Sequence, residues 1–399
     1  MYRSSLIWSY LIRQLMAMSY LARPTVVLDT GSGDVKAGFS GEDCPAVEFR
    51  PLVGRYRHSR TSVTVPGLGN HSSLVGETVH QYRSALSVTN VLEAANLPNY
   101  LNMEQILAHS FDLLDVDPSQ HSVLLSDLGT VPAKEVTCQV MFETFQSPSL
   151  HLEHPAVLSL YGSGRCTGLV FLSGEGTTLL YPVYEGFTIS KGVSRHSVTG
   201  GDLTNNLQKL LQARSDLTPA NFRDLGLVRE MKERVCSVAM DYRQETEVNI
   251  FTRSYRLPDG QIIKVGNERF LCPEAFFQPS LLGKEDPGVH QTLYNSIQSC
   301  DLDVRRSLYS NIIMSGGPTL LPGFSDRLMR EMSRLTPGSV KLKVHNIPWR
   351  KYLVWTGGSI YSSISSYKSA FVTKQEYEEH GASVLHNRQG RVKWSDSAD

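Results

Sequence analysis

Asp29 and Lys36 bracket a short glycine turn in the run V-V-L-D-T-G-S-G-D-V-K. Residues of these types at this spacing suit the holding of phosphate. Gly31 and Gly33 carry no Cβ, so backbone N–H groups around Ser32 can close on anionic oxygens. Lys36, on a returning strand whose side chains alternate faces, can reach β- and γ-phosphates as a point charge. Asp29 can hold a water of Mg²⁺, a cation that keeps several waters beside phosphates. The device recurs at V-F-L-S-G-E-G, where Ser173, Gly174, Glu175 and Gly176 form the turn and Leu172 stands in the place of Asp29. Taken alone, each hairpin reads first as an ordinary β-turn; Asp29 as a turn cap and Lys36 as a solvated strand lysine are the competing readings. Two copies 143 residues apart, followed by a further glycine pair, point to a polyphosphate clasped from both sides.

The further pair is Gly316-Gly317, after an apolar strand at Asn311 to Met314 and before a helix from about Phe324. A helix start there offers free N–H groups and a positive dipole to a nucleotide. Gln139, in C-Q-V-M-F-E, can orient a water towards a γ-phosphate, the role glutamine takes in several NTPases, or it is simply a surface residue. Lys232 and Glu233, in R-E-M-K-E-R, suit a ribose or adenine edge, or form a charged helix face. Neither a Walker A motif nor a G-x-S-x-G nucleophile elbow occurs.

Strand-like and helical runs alternate over most of the 399 residues, the pattern of an α/β chain long enough for two domains. Thr25 to Leu28 and Val35 to Phe39 flank the first turn; Gly168 to Phe171 and Leu179 to Val183 flank the second. Helices are expected over Met103–Asp112, Ala133–Phe145, Asp202–Leu211 and Leu227–Val238, with a buried strand at Ser122 to Ser126. A repeat of this length suits a duplicated domain rather than a solenoid. His58 to Ser73 reads as a surface loop.

With 39 basic and 39 acidic residues the chain presents no global field towards nucleic acid or anionic membrane. Six scattered cysteines suggest reduced, mostly buried thiols, and the histidines show no metal-type spacing. Residues 1–23 are apolar and aromatic with three arginines. Leu6 to Ile12 falls far short of the roughly 20 residues that span a bilayer, so this segment reads as an upstream extension, with Met16 or Met18 as the natural start. A transit or membrane-touching segment is the other reading.

From about Thr25 to His386 the sequence closely resembles the actin family. L-D-T-G-S-G-D-V-K-A-G-F, M-F-E-T-F, V-L-S-L-Y-G-S-G-R-C-T-G, T-G-G-D-L-T, I-M-S-G-G-P-T-L-L-P-G-F, R-K-Y-L-V-W-T-G-G-S-I and T-K-Q-E-Y-E-E-H-G follow one another in family order. The resemblance implies an actin-like two-lobed fold of duplicated ribonuclease-H-like domains, shared with sugar kinases and chaperone ATPases, with ATP and Mg²⁺ between the lobes. On that pattern residues 24–162 with 353–399 form an outer lobe, in which 51–86 is a small subdomain. Residues 163–352 form an inner lobe, with 199–284 as its small part. Gly31, Ser32, Gly33 and Lys36 would hold phosphates from one side and Ser173, Gly174, Glu175 and Gly176 from the other. Gly200, Arg229, Lys232, Glu233, Gly316, Gly317, Leu320 and Lys351 would border the nucleoside. Asp29 and Gln139 match the family's metal-water and attacking-water residues.

The resemblance also implies that residues 58–73 are the loop that neighbouring subunits grip. A groove between Tyr161–Thr167 and Ile360–Tyr367 would receive partners from the cytoskeleton or from multiprotein complexes, with co-assembly with actin among the expectations. Location is expected in the cytoplasm and cytoskeleton, with the nucleus as alternative. Several positions depart from the pattern. Leu172 replaces an aspartate and Leu179 a histidine that organises catalytic waters. Glu175 replaces an aspartate, Pro318 replaces a threonine beside the phosphates, and Lys284 puts charge into a normally apolar plug. The acidic N-terminal cluster is absent, and the gripping loop is about three residues longer. These departures imply an ATP-binding structural protein with weak or absent hydrolysis and poor self-polymerisation. A conventional filament-forming ATPase and a nuclear subunit of a chromatin-remodelling complex are the alternatives.

Overall fold

A computed structural model describes residues 23–56, 73–82, 85–92, 100–217, 222–248 and 252–385. The N-terminal extension and nearly all of the expected grip loop lie outside this set; Ser73 opens a strand, Ser73–Val75.

Two six-stranded sheets carry the fold, and their strands are ordered alike. In the first, Ser149–Glu153, Val123–Ser126, Val26–Thr30, Val35–Phe39 and Val47–Phe49 lie side by side, with Val372–Thr373 at the edge. In the second the corresponding run is Val344–His345, Ile312–Ser315, Gly168–Ser173, Thr178–Tyr184 and Phe187–Thr188, with Ser194–His196 paired beside Thr178–Tyr184. In each, the strand entering the glycine turn is antiparallel to the strand leaving it and parallel to the neighbour on its other side. The duplication read from two glycine turns thus extends to whole sheets.

Alternation along the strands divides the core into three layers, because successive side chains point to opposite faces. Val26 and Leu28 join Leu107, Met141 and Phe142 on the outer face of the first sheet. Leu169 and Phe171 join Leu203, Leu293 and Phe324 on the outer face of the second. Val27 and Leu124 from one sheet, and Val170, Leu172 and Ile313 from the other, meet in a middle layer with Leu158 and Trp355. The middle layer is built on two helices, Pro155–Gly162 and Leu353–Ser363. They cross so closely that a Cβ on Gly357 would lie 1.8 Å from the Leu158 carbonyl oxygen. Trp355, fully buried, donates its indole N–H to the Val27 carbonyl oxygen at 3.0 Å.

The expected helices are present at Tyr100–Leu114, Gly200–Gln212 and Leu225–Val235; the last ends three residues early, where Cys236 turns extended. The single helix expected at Ala133–Phe145 is two: an α-helix, Val131–Gln139, widens into a π-helical turn, Val140–Thr144. The helix expected from about Phe324 is present at Phe324–Leu335, after the glycine pair. Gly317–Leu320 forms a 3-10 turn, and Gly323 stands just before the α-helix. All six cysteines are free thiols, four of them buried. Among the described residues no helix is long and apolar enough to cross a membrane.

Candidate functional site

Both glycine hairpins reach the junction of the lobes and touch each other. The Gly176 N–H donates to Ser32 Oγ at 2.9 Å, and a Cβ on Gly33 would stand 3.0 Å from the Glu175 Cβ. A Cβ on Gly31 would lie 2.8 Å from the Asp34 carbonyl oxygen, so the first turn tolerates glycine far better than any larger residue. In the second lobe Gly316, at φ +97°, sits against the Ser173 carbonyl, where a Cβ would come within 1.8 Å. Gly200, at the start of the Gly200–Gln212 helix, is pressed between Pro318, Glu175 and the Gly174 carbonyl. The glycines of the second hairpin, the Gly200 helix and the Gly316 turn thus form one contiguous patch.

In the first hairpin Asp29 and Lys36 are cross-strand partners. The Lys36 ammonium donates to Asp29 Oδ2 at 3.0 Å, and Ser126 Oγ donates to Asp29 Oδ1 at 2.8 Å, all three residues being buried. In the second hairpin the cross-strand pair at the same place is Leu172 and Leu179. The same 143-residue offset relates Asp29 to Leu172 and Lys36 to Leu179, so an ion pair in one lobe is a hydrocarbon pair in the other. Their parallel-strand neighbours repeat the relation. Ser126 stands beside Asp29 and Ser315 beside Leu172. With no carboxylate in reach, the Ser315 hydroxyl hydrogen-bonds that of Ser159 at 2.9 Å.

The cations expected around a nucleotide are held by acids or carbonyls of this chain. Lys232, buried, donates to the Gly200 carbonyl at 2.7 Å and to Thr204 Oγ1 at 2.8 Å, with Glu175 Oε2 at 3.8 Å. Arg229 donates to Asp34 Oδ2 at 2.6 Å, to the Gly33 carbonyl at 3.1 Å and to Glu233 at 3.0 Å. Lys351 pairs with Glu48 at 2.6 Å and with Asp34 at 3.6 Å. Burial disfavours the charged form of each partner, but their mutual attraction outweighs it. Asp34 falls below the usual carboxylate range, while Arg229 and Lys351 rise above their ordinary values.

Gln139 is exposed and its amide donates to Glu143 at 3.2 Å, while its neighbours Cys138, Met141 and Phe142 pack on the outer face of the first sheet with Val26 and Leu28. Asp29 alternates with Leu28 and so shares the opposite, middle-layer face with Val27. Leu320 is exposed at the end of its 3-10 turn. Lys284 is folded back, donating to the Ser197 carbonyl at 2.6 Å and to Asp202 at 2.9 Å. Along the expected partner groove, Tyr361 stacks on Tyr367 at 4.2 Å and Tyr161 lies 5.7 Å from Tyr361, with Ile360 and Ile364 exposed nearby.

Two residues at the junction are not singled out by residue type: Asp34, the acid directly after the first glycine turn, and Glu48, both of which bind cations of the other lobe. His154 caps the Pro155–Gly162 helix by accepting from the Ala156 N–H, and it packs 4.1 Å from Tyr181. Burial, aided by Lys134, pushes its pKa down to about 3.

The phosphate end suits a polyphosphate in residue type: Cβ-free turns face each other, with Lys36 and Lys232 within the patch. The metal end suits Mg²⁺ less well, because only one of the two twin positions carries an oxygen ligand.

Two sheets that share a five-strand order, each presenting a glycine hairpin to the other, define a duplicated two-lobed α/β protein. The chain belongs to the actin family, whose model, described as Actin, matches residues 21–390 of the 399.

Proposed function

We propose that this chain is a structural member of the actin family that holds ATP with Mg²⁺ between its lobes, turns it over slowly or not at all, and assembles poorly with itself. The observation that carries the reading is the Leu172–Leu179 pair, which puts hydrocarbon where the first lobe has an acid and a base. The groups left to hold the ligand are the turn glycines, Ser32, Ser173, Lys36 and Lys232, with Arg229 and Lys351 at the nucleoside end; Asp29 is left to hold a metal-bound water. When bound, the metal would supply charge neutralisation at the phosphates. Losing a residue that orients metal-bound groups typically costs about 10–100-fold in affinity or activity. Two leucines at the water-organising end therefore reduce turnover more than binding, which rests largely on backbone. A nucleotide so held stabilises the closed protein by mass action.

On this reading the protein acts through partners of the cytoskeleton or of a multiprotein complex, in the cytoplasm. They would be seated in the groove beside Tyr161 and Ile360, and co-assembly with actin is included. The aromatic stack lining that groove supports the proposal, since aromatic side chains are enriched where proteins meet.

Denaturing the purified protein and identifying any released nucleotide tests the binding half. ATP or ADP near one equivalent is expected; a well-folded sample free of nucleotide, with no uptake from millimolar Mg²⁺–ATP, refutes it. Restoring Leu172→Asp with Leu179→His is expected to raise single-turnover phosphate release by about 10-fold or more. No increase in a folded variant removes the leucine pair as the cause. Abundant helical filaments from the purified chain in Mg²⁺–ATP would refute poor assembly.

A further inference from the structure

Two acids of the first lobe, Asp34 and Glu48, meet cations of the second at the hairpin mouth, and Asp34 is the one that faces both cations. Asp34, on the first lobe, receives Arg229 at 2.6 Å and stands 3.6 Å from Lys351, both reaching from the second sheet's side. Arg229 continues to Glu233 and Lys351 to Glu48, so five charged side chains alternate in sign across the mouth with Asp34 at the centre. The Arg229 and Asp34 side chains are each only 15% exposed, which limits screening by salt. The turn that carries Asp34 is fixed from both sides. Asn90 donates to the Ser32 carbonyl, the Gly176 N–H donates to the Ser32 hydroxyl, and the Arg229 fork also takes the Gly33 carbonyl. Asp34 and Glu48 between them supply carboxylates to Arg229 and Lys351 from within the chain.

We propose that Asp34 is a latch that closes the two lobes without nucleotide, and that it competes with a nucleotide for Arg229 and Lys351. Closure, which a ligand would otherwise have to drive, is built into the chain, and an entering nucleotide must first take these cations from Asp34. The competition rests on the nucleotide reading above; the closure does not.

Hydrogen–deuterium exchange at the Ser32 and Gly174–Gly176 turns, with small-angle scattering, tests closure in nucleotide-stripped protein. The wild type is expected to be protected and compact, and to change little on adding Mg²⁺–ATP. In Asp34→Asn, exchange at both turns is expected to rise about 10-fold, within the 5–150-fold usual for coupled sites, and the radius of gyration to increase. Arg229→Gln, which removes the partner from the opposite lobe, is expected to do the same. Asp34→Glu, which keeps the charge, should restore much of the protection, and Glu230→Gln, at an exposed pair on the Arg229 helix, should leave it unchanged. Stripped wild type that exchanges as fast as Asp34→Asn overturns the latch, as do Asp34→Asn and Arg229→Gln variants that remain fully protected. Titration calorimetry with Mg²⁺–ATP separates the two claims. Affinity about 10-fold tighter in Asp34→Asn supports the competition. Exchange that rises while neither protein binds ATP keeps the latch and removes the nucleotide reading. Equal ATP affinity with unchanged exchange keeps the nucleotide reading and removes the latch.

Discussion

Leu172 packs at 8% exposure against Leu179 and the middle layer, so its hydrocarbon is structural as well as a chemical loss. Leu172→Ala is expected to cost about 2–4 kcal/mol, measured as a lower urea midpoint, because the crossed helices beneath cannot collapse into the space. The restoring change to Asp carries a cost of its own: a carboxylate in that pocket finds Ser315 beside it but no lysine opposite. Leu172→Asp alone should therefore be less stable than the double change with Leu179→His, which supplies a polar partner across the strands. Gly316 is constrained more severely. A methyl there meets the Ser173 carbonyl at 1.8 Å on a backbone at φ +97°, so Gly316→Ala is expected to lose about 3 kcal/mol or more, or not to fold. Gly317, with open space around its Cβ position, should accept alanine with little change in the same urea titration.

At the level of elements, Lys284 shows how a departure from a family pattern is absorbed. It bonds Asp202, which also closes the capping box of the Gly200–Gln212 helix with Thr199. The turn Pro279–Leu282 is thereby tied to the helix whose first residue touches the second hairpin. Both side chains are about 30% exposed, so the pair is worth roughly 1 kcal/mol at most. Lys284→Met is expected to leave global stability nearly unchanged and to raise hydrogen exchange several-fold in the segment after Leu282. Element types were readable because each depends on local periodicity. What periodicity misses is illustrated by Val131–Thr144, where the apolar pattern continues unbroken while the hydrogen bonding widens from α to π. It also gives no sign of the short 3-10 turn, Gly317–Leu320, that holds Pro318 ahead of the helix expected from about Phe324.

For the whole molecule, two sets of titrating groups act in different pH ranges. His154 and His196 are held neutral by burial, with pKa values pushed down to about 3 and about 4 from an ordinary 6.5. Unfolding lets them take up protons, so stability is expected to fall as pH drops below about 6.5. Each contributes about 1.4 kcal/mol per pH unit until its folded value is reached, and chemical denaturation across pH would measure it. The cross-lobe ladder behaves otherwise. Asp34 lies below its ordinary 3.8, so its contribution is present above that value and is lost only as pH falls through the lower folded value. Lys351 lies above its ordinary 10.5, so its contribution is present below that value and is lost as pH rises through the folded one. Closure read by turn exchange should therefore stay flat across neutral pH while global stability already declines on the acid side. Parallel loss of both would mean that the latch is not an independent unit.

The sequence alone determined the glycine turns, their duplication, the family and the substitution at Leu172, because each is a matter of residue type at a fixed spacing along the chain. It did not determine which groups meet. Gln139 has the residue type to orient a water, yet the hydrogen bond its exposed amide makes is to Glu143 on its own helical stretch. Asp34, though inside the first motif, and Glu48 were given no role by the sequence, yet they hold the second lobe's cations, since pairing across 195 residues, as between Asp34 and Arg229, follows from how the two lobes are docked. Only the tertiary structure could bring the two hairpins into contact and set Asp34 of the first against Arg229 and Lys351 of the other lobe.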